Sequence, residues 1–279
     1  LKLSRQYSSM IVPNKLLSAD YARYTRNFIT SKHLLIKIRD FSNVPVFPVA
    51  VYPIVYVAKT TKLNNDESIV YELMRQIERD KVEVETKIAL SHEKLDNLEG
   101  ESWSVLFSGE KGNIVEKIRN NSSSLEKIAS VGGAATVSEA YEYKEILQNE
   151  PTEEEYLIFV NTGTVDRYSI LWGLKPTTYI KGKYDKPAIS KSRWKKLSAN
   201  RLSQSRQPKV IVGGMNKHLE CVYDDGKIMA GKSTSIIHSS KVNLLYLLGI
   251  LNSKLITHYY RTVFSGLSLQ GGFFRIGPP

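Results

Sequence analysis

The sequence predicts a mixed α/β chain in three parts, and three observations predict it. The first 60 residues alternate strand-like and helix-like runs. The next stretch carries apolar residues at helical spacing among dense charge, and from Tyr156 onward the apolar runs become short, β-rich and punctuated by glycine. At 279 residues, 42% hydrophobic and 24% charged, the chain can bury the core of one large domain or two ordinary ones.

In the first part, residues 9–12 form a short strand cut by Pro13. Ser18 is placed to cap a helix running to about Thr30, with Tyr21, Tyr24 and Phe28 on one face. Residues 33–40 and 50–58 read as two further strands, separated by a turn containing Pro45 and Pro48. Proline has no N–H to give to a ladder, so Pro53 argues that the last strand lies at an edge or contains a bulge. Across residues 66–98, Ile69, Leu73, Ile77, Val84, Ile88, Leu95 and Leu98 recur at roughly helical spacing, and a connecting helix is expected there. Another helix at 114–119 leads into a Ser/Asn-rich turn at 120–124. Strands are then expected at 156–160, 168–172, 209–212 and 234–238, and one helix at 244–261. The boundaries fall at 1–62, 63–130 and 131–279.

Charge is spread unevenly. Residues 1–60 hold 9 Lys/Arg against 2 Asp/Glu, residues 61–174 hold 12 against 22, and residues 175–279 hold 18 against 4, for a net +11. A basic block beside an acidic one points to a polyanionic partner such as nucleic acid, with an anionic membrane surface or a solvated basic face as competing readings. The densest run holds Lys175, Lys181, Lys183, Lys186, Lys191, Arg193, Lys195, Lys196, Arg201, Arg206 and Lys209 against Asp185 alone. Tyr179, Tyr184 and Trp194 are interleaved there with Asn200, Gln204 and Gln207, the mix expected where cations hold phosphates and amides or aromatics meet bases. A membrane-binding amphipathic helix is opposed by Pro176 and Pro187, and no run approaches the roughly 18 apolar residues of a membrane span. Cys221, the sole cysteine, excludes an internal disulfide and fits a reducing cytoplasm. A start at Leu1, directly in a patterned segment, suggests a piece of a longer protein.

Gly226-Lys-Ile-Met-Ala-Gly231-Lys232-Ser233 fits the phosphate-binding pattern GxxxxGK[ST]. That loop needs a buried strand before it and a helix beginning at its lysine. Here Asp224 and Asp225 stand at the entry and the residues after Ser233 read as a strand, so a nucleotide site is rejected. His33, His92, His218, His238 and His258 show no metal-ligand spacing, and Cys221 has no second pair. Neither GxSxG nor HExxH occurs, and no catalytic centre is visible.

Two regions resemble a known family. Met10-Ile-Val-Pro-Asn-Lys-Leu-Leu-Ser-Ala-Asp20, with Ile38-Arg-Asp-Phe41 and Val46-Phe47, resembles the sheet region that follows the NPPY motif in adenine-specific DNA methyltransferases of type I and type II (IIG-like) restriction–modification systems. Lys209-Val-Ile-Val, Leu219-Glu220, Met229-Ala-Gly-Lys-Ser233, Leu247-Leu-Gly-Ile-Leu-Asn-Ser-Lys-Leu255, Tyr259-Tyr260-Arg261 and Gly271-Gly-Phe-Phe-Arg-Ile276 resemble, in order, the TaqI-like carboxy-terminal specificity domain. The likeness covers most of residues 9–60 and 160–279. It implies the edge strands and helix of a Rossmann-like methyltransferase sheet over 1–62, a helical linker over 63–130 and a mixed α/β target-recognition domain over 131–279.

In such enzymes the amino-terminal domain binds S-adenosylmethionine and accepts a flipped adenine at NPPY, while the later domain reads the target. Neither NPPY nor a cofactor-binding glycine turn occurs in this sequence, so it is expected to bind double-stranded DNA without catalysing methylation, beside a catalytic domain of the same parent chain. On this reading Lys181, Lys183, Lys186, Arg193, Lys195, Lys196, Arg201 and Arg206 neutralise phosphates, and Asn200, Gln204 or an arginine reads base edges. Lys232 and Ser233 either touch the DNA backbone or shape a hairpin. The alternatives are a separate, non-enzymatic specificity subunit of the type I kind and a methylase fused to a nuclease.

Overall fold

Strands, rather than the expected helix, occupy Ser68–Glu78 and Lys81–Ser91. The computed structural model describes residues 6–49, 51–60, 68–98, 101–265 and 273–277. It divides into two compact units, residues 1–121 with 259–270 and residues 122–258 with 271–279. The mixed α/β class is as expected.

The first unit is built on a five-stranded sheet in the order β1-β3-β2-β4-β5. Strand β1 is Tyr7–Pro13, helix α1 is Arg23–Lys32, and β2 and β3 are Leu34–Asn43 and Pro53–Lys59. Strands β4, Ser68–Glu78, and β5, Lys81–Ser91, form a hairpin around Arg79-Asp80. The helix expected over 66–98 is therefore wrong for its described part. Only the short α2, His92–Asp96, is helical there. The physical reason lies in Val82, Val84, Thr86, Ile88 and Leu90, an unbroken alternation with polar Glu83, Glu85 and Lys87 that only a strand can sort onto two faces. Strands β2 and β4 run parallel, and the other neighbours antiparallel. Helix α3, Glu110–Asn120, follows where a helix was expected.

Three details of this unit depart from the sequence reading. Ser18 does not cap α1, because two 3-10 turns, Asn14–Leu17 and Asp20–Ala22, precede a helix that begins only at Arg23. Tyr21 and Tyr24 are 77% and 82% exposed, so they are not the inward face. That face is Ala22, Arg26, Ile29 and Thr30, and the buried Arg26 donates from Nη1 to the carbonyls of Leu16 (3.0 Å) and Ala19 (2.8 Å), satisfying the ends of the 3-10 segment. Pro53 sits neither at an edge nor in a bulge of its own. It opens the internal strand β3 opposite Pro13, where no N–H is required of it. The core gathers Leu35, Ile38, Ile54, Ile69, Leu95 and Trp103 with Tyr71, which stacks on Phe107 at 4.6 Å and donates to Asp40 Oδ2 at 2.9 Å.

The second unit is layered. Strand β6 is Ser130–Gly133 and helix α4, Val137–Ile146, starts at a capping box of Thr136 and Glu139. Strands β7, Tyr156–Val160, β8, Val165–Asp166, and β9, Ser169–Ile170, lead to the small hairpin of β10, Thr177–Tyr179, and β11, Gly182–Tyr184. Then come β12, Ala188–Ser190, a 3-10 stretch, Lys191–Lys196, helix α5, Ala199–Ser205, and strands β13, Lys209–Gly213, and β14, Met215–Asn216. Strands β15, Cys221–Asp224, β16, Ile228–Ala230, and β17, Thr234–His238, precede α6, Leu244–Leu251, α7, Lys254–Val263, of which residues from Tyr259 on are counted with the first unit, and β18, Phe274–Arg275. Gly271 and Gly272 of the expected family segment lie outside the described residues.

Two sheets carry this unit, β12-β7-β16 and β15-β13-β17-β6. Alternation decides their faces. Ile211, Val222 and Ile236 meet Val160, Ile228 and Ala230 between the sheets, while Val210, Val212, Cys221 and Ile237 turn the other way onto Leu247 and Leu248 of α6. On its remaining face the three-stranded sheet buries Leu157, Phe159, Ile189 and Met229 against Tyr143, Ile146, Trp194 and Leu197. The single helix expected at 244–261 is broken at Asn252. That side chain is buried because its Oδ1 accepts from Cys221 N and its Nδ2 donates to Cys221 O, both at 2.9 Å. Burial pushes the Cys221 thiol up to about 12.

Candidate nucleic-acid interface

Strand directions sort the expected site residues. Strand β7 runs from Tyr156 to Val160 and β16 runs parallel beside it, with Ile228 opposite Ile158 and Ala230 opposite Val160. The loops leaving Val160 and Ala230 therefore gather at one end of this sheet. There, Asn161 Nδ2 donates to Thr178 O (3.1 Å), tying the β10–β11 hairpin to the loop after β7. Gly231 brings the next turn against the same hairpin, since a Cβ at this position would lie 3.1 Å from the Tyr179 ring and 2.8 Å from Asn161 Oδ1. Lys181, Lys183, Lys232 and Ser233 are thus brought together, all exposed. Lys186 joins them, because the next carbonyl, that of Pro187, accepts from Phe159 N at 2.9 Å.

The hairpin is a defined object. Thr177 and Tyr179 are buried, Tyr179 packs edge-on against Phe159 at 4.7 Å, and the Tyr184 ring occupies the space over Gly182. Its two-residue tip is Ile180-Lys181, with φ of 40° and 63°. Such a tip normally carries asparagine or glycine, and left-handed backbone costs an L residue roughly 1–2 kcal/mol. Ile180 accepts that cost while packed against the buried cluster that contains Tyr179 and Trp194. Thr178 and Lys183, directly opposite each other, form the exposed row with Lys181.

The rest of the basic stretch covers the sheet's face, and most of its cations are engaged. It begins and ends at the opposite end, where Lys191 pairs with Glu155 (2.6 Å) and the Arg206 carbonyl closes on Gly226. Arg193 Nη1 donates to Ile146 O at 3.1 Å, and the Arg206 guanidinium lies 5.3 Å over the Trp194 ring. Arg201 gives Nε to Glu139 (2.9 Å) and Nη1 to Gly133 O and Gln204 Oε1 (both 3.1 Å). Arg201, expected to hold a phosphate, and Gln204, expected to read a base, are thus bonded to each other. Lys195, Lys196 and Asn200 are exposed. Lys181, Lys183, Lys186, Lys195, Lys196 and Lys232 take part in no ion pair among the described residues.

The Arg201 bond holds the Glu139 carboxyl down at about 2, against an ordinary 4.5. Its stabilisation is full above the unfolded value and is lost as pH falls from about 4.5 toward 2. Between pH 7 and pH 2.5 the wild-type urea midpoint is expected to fall further than that of Glu139→Gln. The difference corresponds to on the order of 2 kcal/mol, and parallel pH profiles would refute the assignment.

The turn at Lys232 is no nucleotide loop. Thr234 N donates to Gly231 O at 3.1 Å, closing a β-turn, and the chain continues as β17 rather than a helix. The turn does not shape a hairpin either, because β16 and β17 belong to different sheets. Thr162 Oγ1 clamps it by donating to Ser233 O and accepting from Gly214 N (2.9 Å).

Loop 161–164, the hairpin, the turn and strands β12 and β16 behind them fall in one stretch that a known family describes, which begins within β7. Residues 159–276 match the TaqI-like C-terminal specificity domain. The matched stretch contains all twelve of the residues singled out for DNA contact. Similar solved structures include the type IIG restriction endonuclease BpuSI, at 11% identity and a TM-score of 0.38, covering 97% of this chain and 38% of that one. The type IIL restriction–modification enzyme MmeI, solved in complex with DNA, gives 14% identity and a TM-score of 0.41, covering 88% of this chain and 35% of that one. The chain spans little more than a third of the length of either. No curated protein sequence matches it. No helix among the described residues is long and apolar enough to cross a membrane.

Proposed function

We propose that this chain is the target-recognising part of an adenine-specific DNA methyltransferase of a restriction–modification system, and that its specificity domain binds double-stranded DNA. The observation that carries the reading is the coincidence of the specificity-domain match with a cluster of lysines, at one sheet end, that pair with no carboxylate among the described residues. Lys186 and Lys232 hold phosphates there, Ser233 beside them, and Lys195 and Lys196 are available to further phosphates. Residues 1–62 are read as strands of the methyltransferase sheet. No residue of this chain is assigned to S-adenosylmethionine, which belongs to the catalytic part of the parent protein.

The test is duplex binding by fluorescence anisotropy across several salt concentrations. Each phosphate contact removed flattens the log–log salt slope by about one unit. Lys186→Ala with Lys232→Ala is therefore expected to flatten it by about two. Lys191→Ala with Lys227→Ala removes the same charge at the other end of the sheet, where both lysines face carboxylates, and is expected to leave the slope unchanged. Equal flattening by both pairs would mean that net charge, not this surface, binds DNA. No binding by the wild-type chain would end the reading.

A further inference from the structure

We infer that the β10–β11 hairpin is the element that enters the major groove, and that Lys181 and Lys183 read guanine there. The inference rests on the DNA-binding reading above and assigns it a reading head. A two-stranded ribbon fits a groove about 12 Å wide. This ribbon presents Thr178, Lys181 and Lys183 outward, while on its other row Thr177 and Tyr179 are buried and Tyr184 is half-buried.

Holding a phosphate and reading a base make different demands. Attraction to a phosphate is hardly directional, so a loose lysine serves. A base edge must be met by a donor already in place, because ordering a long side chain on binding consumes affinity. Lys181 starts from a backbone fixed on three sides: Ile180 packed on the buried cluster, the Tyr184 ring over Gly182, and Asn161 tied to Thr178. The left-handed tip is the conformation that this packing enforces, and it aims Lys181 away from the core.

The chemistry of the row selects the base. A lysine ammonium offers donors only, and guanine alone presents two acceptors, O6 and N7, on its major-groove edge. The Thr178 hydroxyl, opposite Lys183, can give or take a hydrogen bond beside them. Helix α5 is the poorer reader, since Arg201 and Gln204 are already bonded within the fold.

The chain is used to select bound duplexes from a randomised pool. The wild type is expected to return a consensus containing guanine. Lys181→Ala and Lys183→Ala, with unchanged melting temperatures, should each lose a guanine position and bind the wild-type consensus about tenfold more weakly. Replacing that guanine by 7-deazaguanine should weaken the wild type and leave the matching lysine variant no worse. Lys186→Ala with Lys232→Ala should lower affinity and keep the consensus. A consensus preserved in both hairpin variants, or insensitive to 7-deazaguanine, overturns the hairpin assignment while DNA binding stands. Failure of the wild type to retain any duplex overturns both.

Discussion

Replacing Asp224 by alanine is expected to cost the second unit about 3–5 kcal/mol of stability, because it leaves a buried ammonium without its counter-charge. Lys209 is fully buried and Asp224 nearly so, and the two are in contact. Lys209 Nζ also donates to the carbonyls of Ser205 (2.8 Å) and Gln207 (3.3 Å), which lie where α5 ends. Asp224 in turn accepts from the backbone N–H groups of Lys227 (2.9 Å) and Ile228 (3.1 Å). One pair therefore closes a helix terminus and the turn into β16 together, and no water can replace either partner. Burial alone would lower the lysine pKa, and the carboxylate opposes that shift. Urea denaturation reads the loss. Lys209→Met with Asp224→Leu should recover only the part due to the unpaired charge, since the backbone N–H groups of Lys227 and Ile228 still lose their acceptor. A loss below about 1 kcal/mol for Asp224→Ala would show that the pair is solvated in solution.

Gly226→Ala is the second substitution of large expected effect, at roughly 2–4 kcal/mol. Two independent costs meet there. The backbone holds φ at 106°, a region an L side chain rarely adopts, and a Cβ would fall 2.5 Å from the Arg206 carbonyl oxygen and 2.8 Å from its carbon. Both neighbours are backbone, so no side chain can rotate away. Gly163→Ala, with nothing within 4 Å of its Cβ position, should be close to neutral. A melting temperature for Gly226→Ala within a degree or two of Gly163→Ala would contradict the close approach. The same geometry explains a coincidence of letters: Gly226 and Gly231, the two glycines of the phosphate-loop pattern, make room for Arg206 and for Tyr179 with Asn161.

The strands of the second unit were legible in the sequence because each is a short apolar run bounded by glycine or polar residues. The expected 156–160, 209–212 and 234–238 correspond to β7, β13 and β17 with little change at the ends. Of 168–172 only Ser169–Ile170 pairs. The β4–β5 hairpin was misread because Ile69, Leu73, Ile77, Val84 and Ile88 also fit a helical stripe, and the deciding alternation sits on β5, much of which is exposed. The basic stretch was equally plain as composition. Its division was not. Arg201 is committed to Glu139, 62 positions earlier, and Arg193 to the carbonyl of Ile146, 47 positions earlier. A sequence can count cations, but only the fold shows which have partners. The tip at Ile180-Lys181 carried no local signal, since a β-branched residue argues against the turn that it occupies.

The Asn252 side chain matters beyond the break it makes between α6 and α7. Strand β15 stands at the rim of its four-stranded sheet, and a rim offers unpaired N–H and C=O groups to any strand that approaches. The Asn252 amide takes up both groups of Cys221 as a neighbouring strand would, and Tyr168 N adds a second donor to the same carbonyl at 2.9 Å. The opposite rim, β6, is only four residues long. A segment seeking to extend this sheet finds one side already plugged by an amide and the other too short to nucleate pairing, so the unit carries its own protection against self-association through strand exchange.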